Sequence, residues 1–393
     1  MTDWYISLMA DNITREDADS LIAFLQQNPV PKLTNGPKVV EFEEAWSKWL
    51  GVKHSIFVNS GSSANELTMQ AIKYWHGDGE IIVPPLTWVS DIASVLHAGL
   101  KPVFCDINLK NLSFDLEKLK SLITDDTRAI FLTHVLGING LTQELIDLCA
   151  EKDILLIEDV CESHGTTFKG QKVGSFGYAS NFSFYFAHHM STIEGGMVCT
   201  NDSRFYEILR CLRSHGMLRE STDDAFKEHV LAQNPELNKD FVFLAPSHNF
   251  RSTELNAVLG LSQLKQLDIN NENRRTNFKY FIENLDPNKY HVELDTEGQC
   301  NYAFIVILKN PSFPNRDLVE AELKKATIEF RRGLSGGGSQ IKQPYIRERF
   351  KIDESQFPNI EHVHHYAWYI GNYPSLSFAK VRQLVKILNG INI

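Results

Sequence analysis

His188 and His189 stand in the run Phe182-Ser183-Phe184-Tyr185-Phe186-Ala187-His188-His189-Met190-Ser191-Thr192-Ile193-Glu194-Gly195-Gly196. Imidazole titrates near neutrality and moves protons, so this pair offers a general base. A second chemical set, Glu158-Asp159-Val160-Cys161-Glu162-Ser163-His164-Gly165, follows the apolar run Ile154 to Ile157. A carboxylate such as Asp159 can keep the nitrogen of a bound aromatic ring protonated, which turns the ring into an electron acceptor. A third is Asn59-Ser60-Gly61-Ser62-Ser63-Ala64-Asn65, between an apolar run and an amphipathic stretch. Small residues there let backbone N–H groups approach a phosphate, hydroxyls add donors, and a helix dipole favours the dianion. Trp88, in Pro84-Pro85-Leu86-Thr87-Trp88-Val89-Ser90, offers an aromatic face on which a flat cationic ring can stack.

These residues need a scaffold that ends several elements in one place. Short apolar runs recur at Ser55–Val58, Ile81–Val83, Pro102–Phe104, Ala129–Leu132 and Ile154–Ile157, separated by stretches long enough for crossover helices. The spacing predicts an α/β chain with a mostly parallel sheet, in which ligands collect at the carboxyl ends of the strands. Thr14 reads as the N-cap of a helix carrying Leu21, Ile22 and Leu25 on one face. The stretch Asn270-Asn271-Glu272-Asn273-Arg274-Arg275 reads as part of a helix joining a large domain, residues 1–254, to a smaller C-terminal one, residues 255–393.

Composition narrows the classes. With 393 residues, 43% of them hydrophobic, the chain can bury the core of a soluble two-domain protein. A formal charge of -10 without a Lys/Arg run argues against nucleic acid or an acidic membrane surface as partner. The start Met1-Thr2-Asp3-Trp4 carries no basic and apolar leader pattern, and no apolar run approaches the roughly 20 residues that span a bilayer, so the expected location is the cytoplasm. The six cysteines have no Cys-x-x-Cys spacing; reduced thiols are expected, and no metal.

The segment Phe182–Gly196 resembles the cofactor-lysine segment of the sugar aminotransferase family of DegT/DnrJ/EryC1/StrS type, with histidine in place of the lysine. Counting back six from Glu194 gives His188. Lysine there would hold pyridoxal phosphate as a Schiff base, which imidazole cannot form. The resemblance therefore implies a non-covalent cofactor cycling between pyridoxal and pyridoxamine phosphate, with His188 as the catalytic base. It implies Ser62, Ser63 and Ser183 on the phosphate, Asp159 on the pyridine nitrogen, Glu162 beside the phenolic oxygen and Trp88 over the ring. The segment His248-Asn249-Phe250-Arg251-Ser252-Thr253-Glu254-Leu255-Asn256-Ala257 resembles the family's Asn-x-Arg-x-x-Glu-x-x-Ala stretch, which reaches into the partner subunit's site. Asn249 is thereby implied on the phosphate, Arg251 near substrate, and the protein as an obligate homodimer with shared active sites. His215, in Arg213-Ser214-His215-Gly216, matches a site histidine of the lysine-less branch. Arg331 and Arg332 open a glycine-rich run, Arg331–Gln340, that replaces the family's substrate segment, and are substrate candidates. The implied fold is the aspartate aminotransferase type: a mostly parallel central sheet plus a smaller C-terminal α+β domain.

The implied reaction is transfer of an amino group from L-glutamate, leaving 2-oxoglutarate, to a keto or aldehyde sugar of lipopolysaccharide biosynthesis. The branch that aminates C8 of an oxidised 3-deoxy-octulosonate (Kdo) is similar. The alternative is glutamate-dependent 3-dehydration of a nucleotide-linked 4-keto-6-deoxyhexose, whose branch shares the His-His and Arg-x-His-Gly features. A non-catalytic sensor of the cofactor or of an amino sugar is the third reading, disfavoured because histidine is itself a competent base.

Overall fold

The computed structural model describes residues 5–393. Strands β1 (His54–Val58), β2 (Glu80–Val83), β3 (Lys101–Phe104), β4 (Thr127–Thr133) and β5 (Leu155–Asp159) coincide with the five apolar runs. Two short strands, β6 (Thr167–Phe168) and β7 (Gln171–Lys172), pair with each other, and β8 (Ala179–Ser183) and β9 (Gly196–Thr200) complete a seven-stranded sheet of order β1-β9-β8-β5-β4-β2-β3. The block β8-β5-β4-β2-β3 is parallel; β9 runs antiparallel to both β1 and β8.

Alternation along each strand divides the core between the two faces of this sheet. Ile56, Val58, Ile81, Val83, Phe131 and Ile157 pack on one side. Phe57, Ile82, Ile130, Leu132 and Leu156 pack on the other. Both faces are covered, which is why the parallel strands read as continuous apolar runs. β8 escaped that reading because its sequence is Ala-Ser-Asn-Phe-Ser. Its Ser180 and Asn181 are fully buried and hydrogen-bonded, Ser180 Oγ to the Gly174 carbonyl at 2.6 Å and Asn181 Oδ1 from Thr68 Oγ1 at 2.7 Å.

Thr14 caps the helix Arg15–Leu25 in a capping box with Asp17, as its position predicts. The helix Pro37–Leu50 has no side chain of its own for this task. Glu254 does it from afar, its carboxylate accepting from Lys38 N at 3.0 Å and Val39 N at 2.9 Å.

The Asn/Arg-rich stretch lies inside the helix Glu254–Asn284, where Asn271, Arg274 and Asn277 are buried at helical spacing. Asn271 Nδ2 donates to the His164 carbonyl at 3.0 Å, Arg274 Nη1 to the carbonyls of Asn372 and Tyr302, and Asn277 Nδ2 to Asn372 Oδ1 at 3.4 Å. This helix thus holds the large sheet against a second, antiparallel sheet of order β10-β12-β11, formed by β10 (Ala303–Ile307), β11 (Phe330–Arg332) and β12 (Ala367–Gly371). The expected division at 254/255 falls at the start of this helix, and residues 5–8 cross it: Tyr5 N donates to the Thr327 carbonyl and Leu8 N to Glu329.

Candidate active site

The carboxyl ends of β1, β4, β5 and β8 open into a cavity of about 300 Å³, at the small end of the usual range for ligand sites. Ser60, Gly61 and Ser62 form one end, Trp88 and Ser90 a side, Thr133, Asp159 and Cys161 the floor; Ser183, Tyr185, Ala187 and His188 come from the histidine segment, and Glu162, Tyr302, Ser335, Gly336 and Tyr369 complete the wall.

The first end is built from a helix start. Ser60 caps Gly61–His76, its hydroxyl accepting from Ser63 N at 3.0 Å while its carbonyl accepts from Ala64 N. The N–H groups of Gly61 and Ser62 have no acceptor within the helix. Ser183 abuts this turn: a Cβ on Gly61 would lie 2.5 Å from Ser183 Cβ. Of the expected phosphate residues, Ser62 and Ser183 line the cavity; Ser63 turns away, its hydroxyl accepting from Ser60 Oγ at 2.9 Å.

Asp159 ends β5 at 4% exposure, with Oδ1 accepting from Cys161 N at 2.8 Å and Oδ2 from Asn65 Nδ2 at 3.2 Å. Glu162 accepts from Leu136 N at 3.0 Å and from Ser335 Oγ at 3.1 Å. Burial raises its carboxyl to about 7 against those two donors, with Asp159 adding to the rise, so Glu162 exchanges a proton near neutrality. Ser335 belongs to the glycine-rich run, which folds back over the segment carrying Trp88. Gln340 N donates to the Pro85 carbonyl at 2.9 Å, and at Gly336, with φ of +60°, a Cβ would lie 2.1 Å from the Thr87 carbonyl oxygen. Only glycine fits there.

The two histidines part company. His188 faces the cavity, its ring stacked against Tyr302 at a centroid distance of 5.6 Å. His189 turns inward, 1% exposed, and its Nε2 donates to the Cys300 carbonyl at 2.9 Å. His164 stacks on both, at 6.4 Å and 5.2 Å. Enclosure lowers His188 to about 4; Asp159 opposes the fall and Arg274 adds to it. The ring is therefore neutral, able to accept a proton. His164 and His189 are pushed further below the ordinary value, again by burial first.

That burial has a consequence for stability. The unfolded chain protonates His164 and His189 near pH 6.5 and the folded chain refuses those protons, so their stabilisation is full above that value and is lost as pH falls. The two together tilt stability by about 2.7 kcal/mol per pH unit below about pH 6.5. His188 adds to this slope, while the raised acids Glu162 and Asp91 oppose it. The histidine contribution is therefore read as the difference in urea-unfolding slope between the cofactor-free protein and its His189→Asn variant at several pH values; an unchanged slope would contradict a buried neutral His189.

The remaining expected residues lie outside this chain's cavity. Asn249, exposed, and Arg251, half-buried, lie on a strand-like stretch along the end of β1, where Asn59 N donates to the Phe250 carbonyl, and the exposed His215 follows the helix Ser203–Arg213, its N–H donating to the His248 carbonyl. Arg332 pairs with Glu320 at 2.6 Å and Arg331 with Glu329 at 3.4 Å, along an open groove on the small sheet. Tyr302, Tyr369 and Thr133, all cavity-lining, carried no motif that could have announced them, and Tyr185 and Ser335 lay unmarked inside the histidine segment and the glycine-rich run. Ser60, Ser90 and Cys161 stood unmarked inside segments already singled out.

Comparison with known proteins gives the same outline. The sequence pattern of the DegT/DnrJ/EryC1/StrS aminotransferase family matches residues 11–389. GDP-4-keto-6-deoxy-D-mannose 3-dehydratase of Yersinia pseudotuberculosis is 32% identical over 364 residues, 90% of this chain and 91% of that protein. GDP-perosamine synthase of Caulobacter vibrioides is 32% identical over 263 residues, 67% of this chain and 65% of that protein. The structure of GDP-4-keto-6-deoxymannose-3-dehydratase with a trapped PLP-glutamate geminal diamine superposes with a TM-score of 0.86 at 29% identity, covering 98% of this chain and all of that one.

Proposed function

We propose, from the premise that this chain belongs to the DegT/DnrJ/EryC1/StrS aminotransferase family, that His188 does the proton work of a pyridoxal 5'-phosphate (PLP) enzyme moving an amino group from L-glutamate to a keto or aldehyde sugar. The observation that carries this reading is the neutral His188 ring in a cavity that no lysine lines among the described residues, with Asp159 on its floor. The site fits PLP on its own geometry. Gly61, Ser62 and Ser183 offer donors to the phosphate without a Cβ in the way, Asp159 suits the pyridine nitrogen, Glu162 the phenolic oxygen, and Trp88 the ring face. With no lysine in reach, the cofactor is held by contacts alone.

When bound, PLP supplies a carbonyl that condenses with the amino donor and a protonated ring that takes up the electrons released as a proton leaves. His188 removes that proton from glutamate Cα, and in the second half-reaction delivers one to the sugar carbon that becomes the amine carbon. Asp159 keeps the ring nitrogen protonated throughout. Amination needs no further group, because the second half reverses the first. An aldehyde at C8 of Kdo is the acceptor this economy suits.

The second reading is 3-dehydration of a nucleotide-linked 4-keto sugar. It is favoured by the 32% identity, along 90% of the chain, to a protein of that name. Glutamate labelled with nitrogen-15 separates the two: label in the sugar product supports amination, and unlabelled sugar with labelled ammonia and loss of water supports dehydration. Neither product from either class of sugar would end both.

The exposed Trp88 and Ile193, both 56%, together with Phe241 at 58% and Phe243 at 54%, support a homodimer in which Asn249, Arg251 and His215 complete the cavity of the partner subunit. A cytoplasmic dimer is expected in sedimentation at working concentrations; a monomer with full activity would remove those three residues from the site.

A further inference from the structure

A second carboxyl lies under the cavity floor with no task in the reading above. Asp91 stands in the first turn of the helix Val89–His97 and is 1% exposed. Its Oδ2 accepts from Thr133 Oγ1 at 3.1 Å and from Thr87 Oγ1, and its Oδ1 accepts from Asn65 Nδ2 at 2.7 Å. The same amide nitrogen reaches Asp159 Oδ2 at 3.2 Å and Ser90 Oγ at 3.1 Å, and the two carboxyl groups are hydrogen-bond neighbours.

The hydrogens fall short of the contacts. The Asn65 amide has two hydrogens for three oxygens, and the two threonine hydroxyls, themselves 2.7 Å apart, have one each for Asp91 and for one another. No lysine or arginine pairs with either carboxyl among the described residues. The titratable groups facing the pair are Cys161, Glu162 and His188 on the Asp159 side and Tyr345 near Asp91, and none is a cation at neutral pH. Two carboxylates within reach of one amide, buried and without a counter-cation, do not both ionise.

We propose that Asp91 and Asp159 hold one proton between them, resident on Asp91, so that Asp91 is a positioning residue whose O–H donates to Asp159 and leaves Asp159 the anion that faces the cavity. No proton enters or leaves the pair; the acid itself supplies a hydrogen where the amide and hydroxyls fall short. Burial, with Asp159 as the next cause, raises Asp91 well above the carboxylate range, in keeping with that arrangement. The role of Asp91 in catalysis rests on the proposed placing of Asp159 at the pyridine nitrogen, but the shared proton does not, and it is testable without cofactor.

The test is infrared spectroscopy of the cofactor-free protein. Glu162→Gln removes the other carboxyl that titrates near neutrality, and at about pH 7 this variant should still show the carbonyl band of one protonated carboxyl, shifted by deuterium exchange. Asp91→Asn in the same background should abolish the band. Asp91→Asn alone should change PLP affinity by no more than about threefold, since an amide replaces a neutral acid of the same shape. It should also flatten the pH dependence of Tm. An acid raised on folding contributes stability that is full below its unfolded value and is lost as pH rises, and that loss disappears with the variant. Asp91→Thr, neutral and hydroxyl-bearing, serves if asparagine is not tolerated. Absence of the band in the Glu162→Gln protein, or its survival when Asp91 is replaced, overturns the proposal; failure of PLP to bind with the band present would instead count against the cofactor reading.

Discussion

Asparagine in place of His188 is expected to slow release of 2-oxoglutarate from glutamate by about two to four orders of magnitude, the usual contribution of a positioned general base. Asparagine keeps the size and polarity of the side chain near Tyr302 but cannot accept a proton. The sharper readout is exchange of the glutamate Cα proton with deuterated solvent, which should fall in step with product. His189→Asn is the control. His189 bonds the Cys300 carbonyl inside the protein, so its loss should lower stability and leave exchange near wild type. If the effects were reversed, His189 would be the base and the orientation of this segment would be wrong. In the free protein the His188 resonances should titrate near 4, leaving the ring neutral across the physiological range. A base this weak is suboptimal for abstraction near neutrality, but a phosphate dianion and the carboxylates of glutamate in the same cavity would raise it.

Asp159→Asn is expected to retain PLP and to lose about 10²–10³-fold in turnover, on the scale of removing one preorganised electrostatic partner from an active site. The amide fits the hydrogen bonds from Cys161 N and Asn65 poorly and has no charge to hold a proton on the ring nitrogen. PLP binding followed by absorbance, beside single-turnover conversion of glutamate, separates the two effects. Unchanged turnover would take Asp159 out of the chemistry.

Much of this was legible before any coordinates, for identifiable reasons. Strands buried on both faces announce themselves as apolar runs, and β1 to β5 did so. β8 did not, because Ser180 and Asn181 owe their burial to Gly174 and Thr68, partners that sequence alone does not put in reach. Local motifs located His188, Asp159, Glu162, Ser62, Ser183 and Trp88, which the fold brings to one cavity. Ser60, three residues before Ser63, lines the cavity beside Ser62, and Ser63 Oγ accepts from it. Tyr302 and Tyr369 come from beyond residue 284, and nothing in their own neighbourhoods marks them; Ser335 sits in the glycine-rich run, where the arginines and not the serine drew the reading. The Asn/Arg-rich stretch read as part of a connecting helix, but the burial of Asn271, Arg274 and Asn277 was not legible, because buried polar side chains resemble exposed ones until their partners are known. Glu254 gains a structural reason beyond its place in a motif, since it caps a helix that begins at Pro37.

The sheet order also constrains how the chain is made. β1 lies at the edge of the sheet, its ladder partner is β9, and the stretch beyond it is fastened by Phe250. A nascent chain halted after Ser183 could hold Asp159 and Ser183 on neighbouring strands, yet Ser60 to Ser62 would have nothing to anchor them. Closing so long a loop is entropically cheap once its ends can meet, because the cost grows only logarithmically, but both ends must first exist. The phosphate end of the site therefore waits for β9 and Phe250, and the wall of Tyr302, Ser335 and Tyr369 waits longer still, so the cofactor would be captured by finished chains and ignored by unfinished ones.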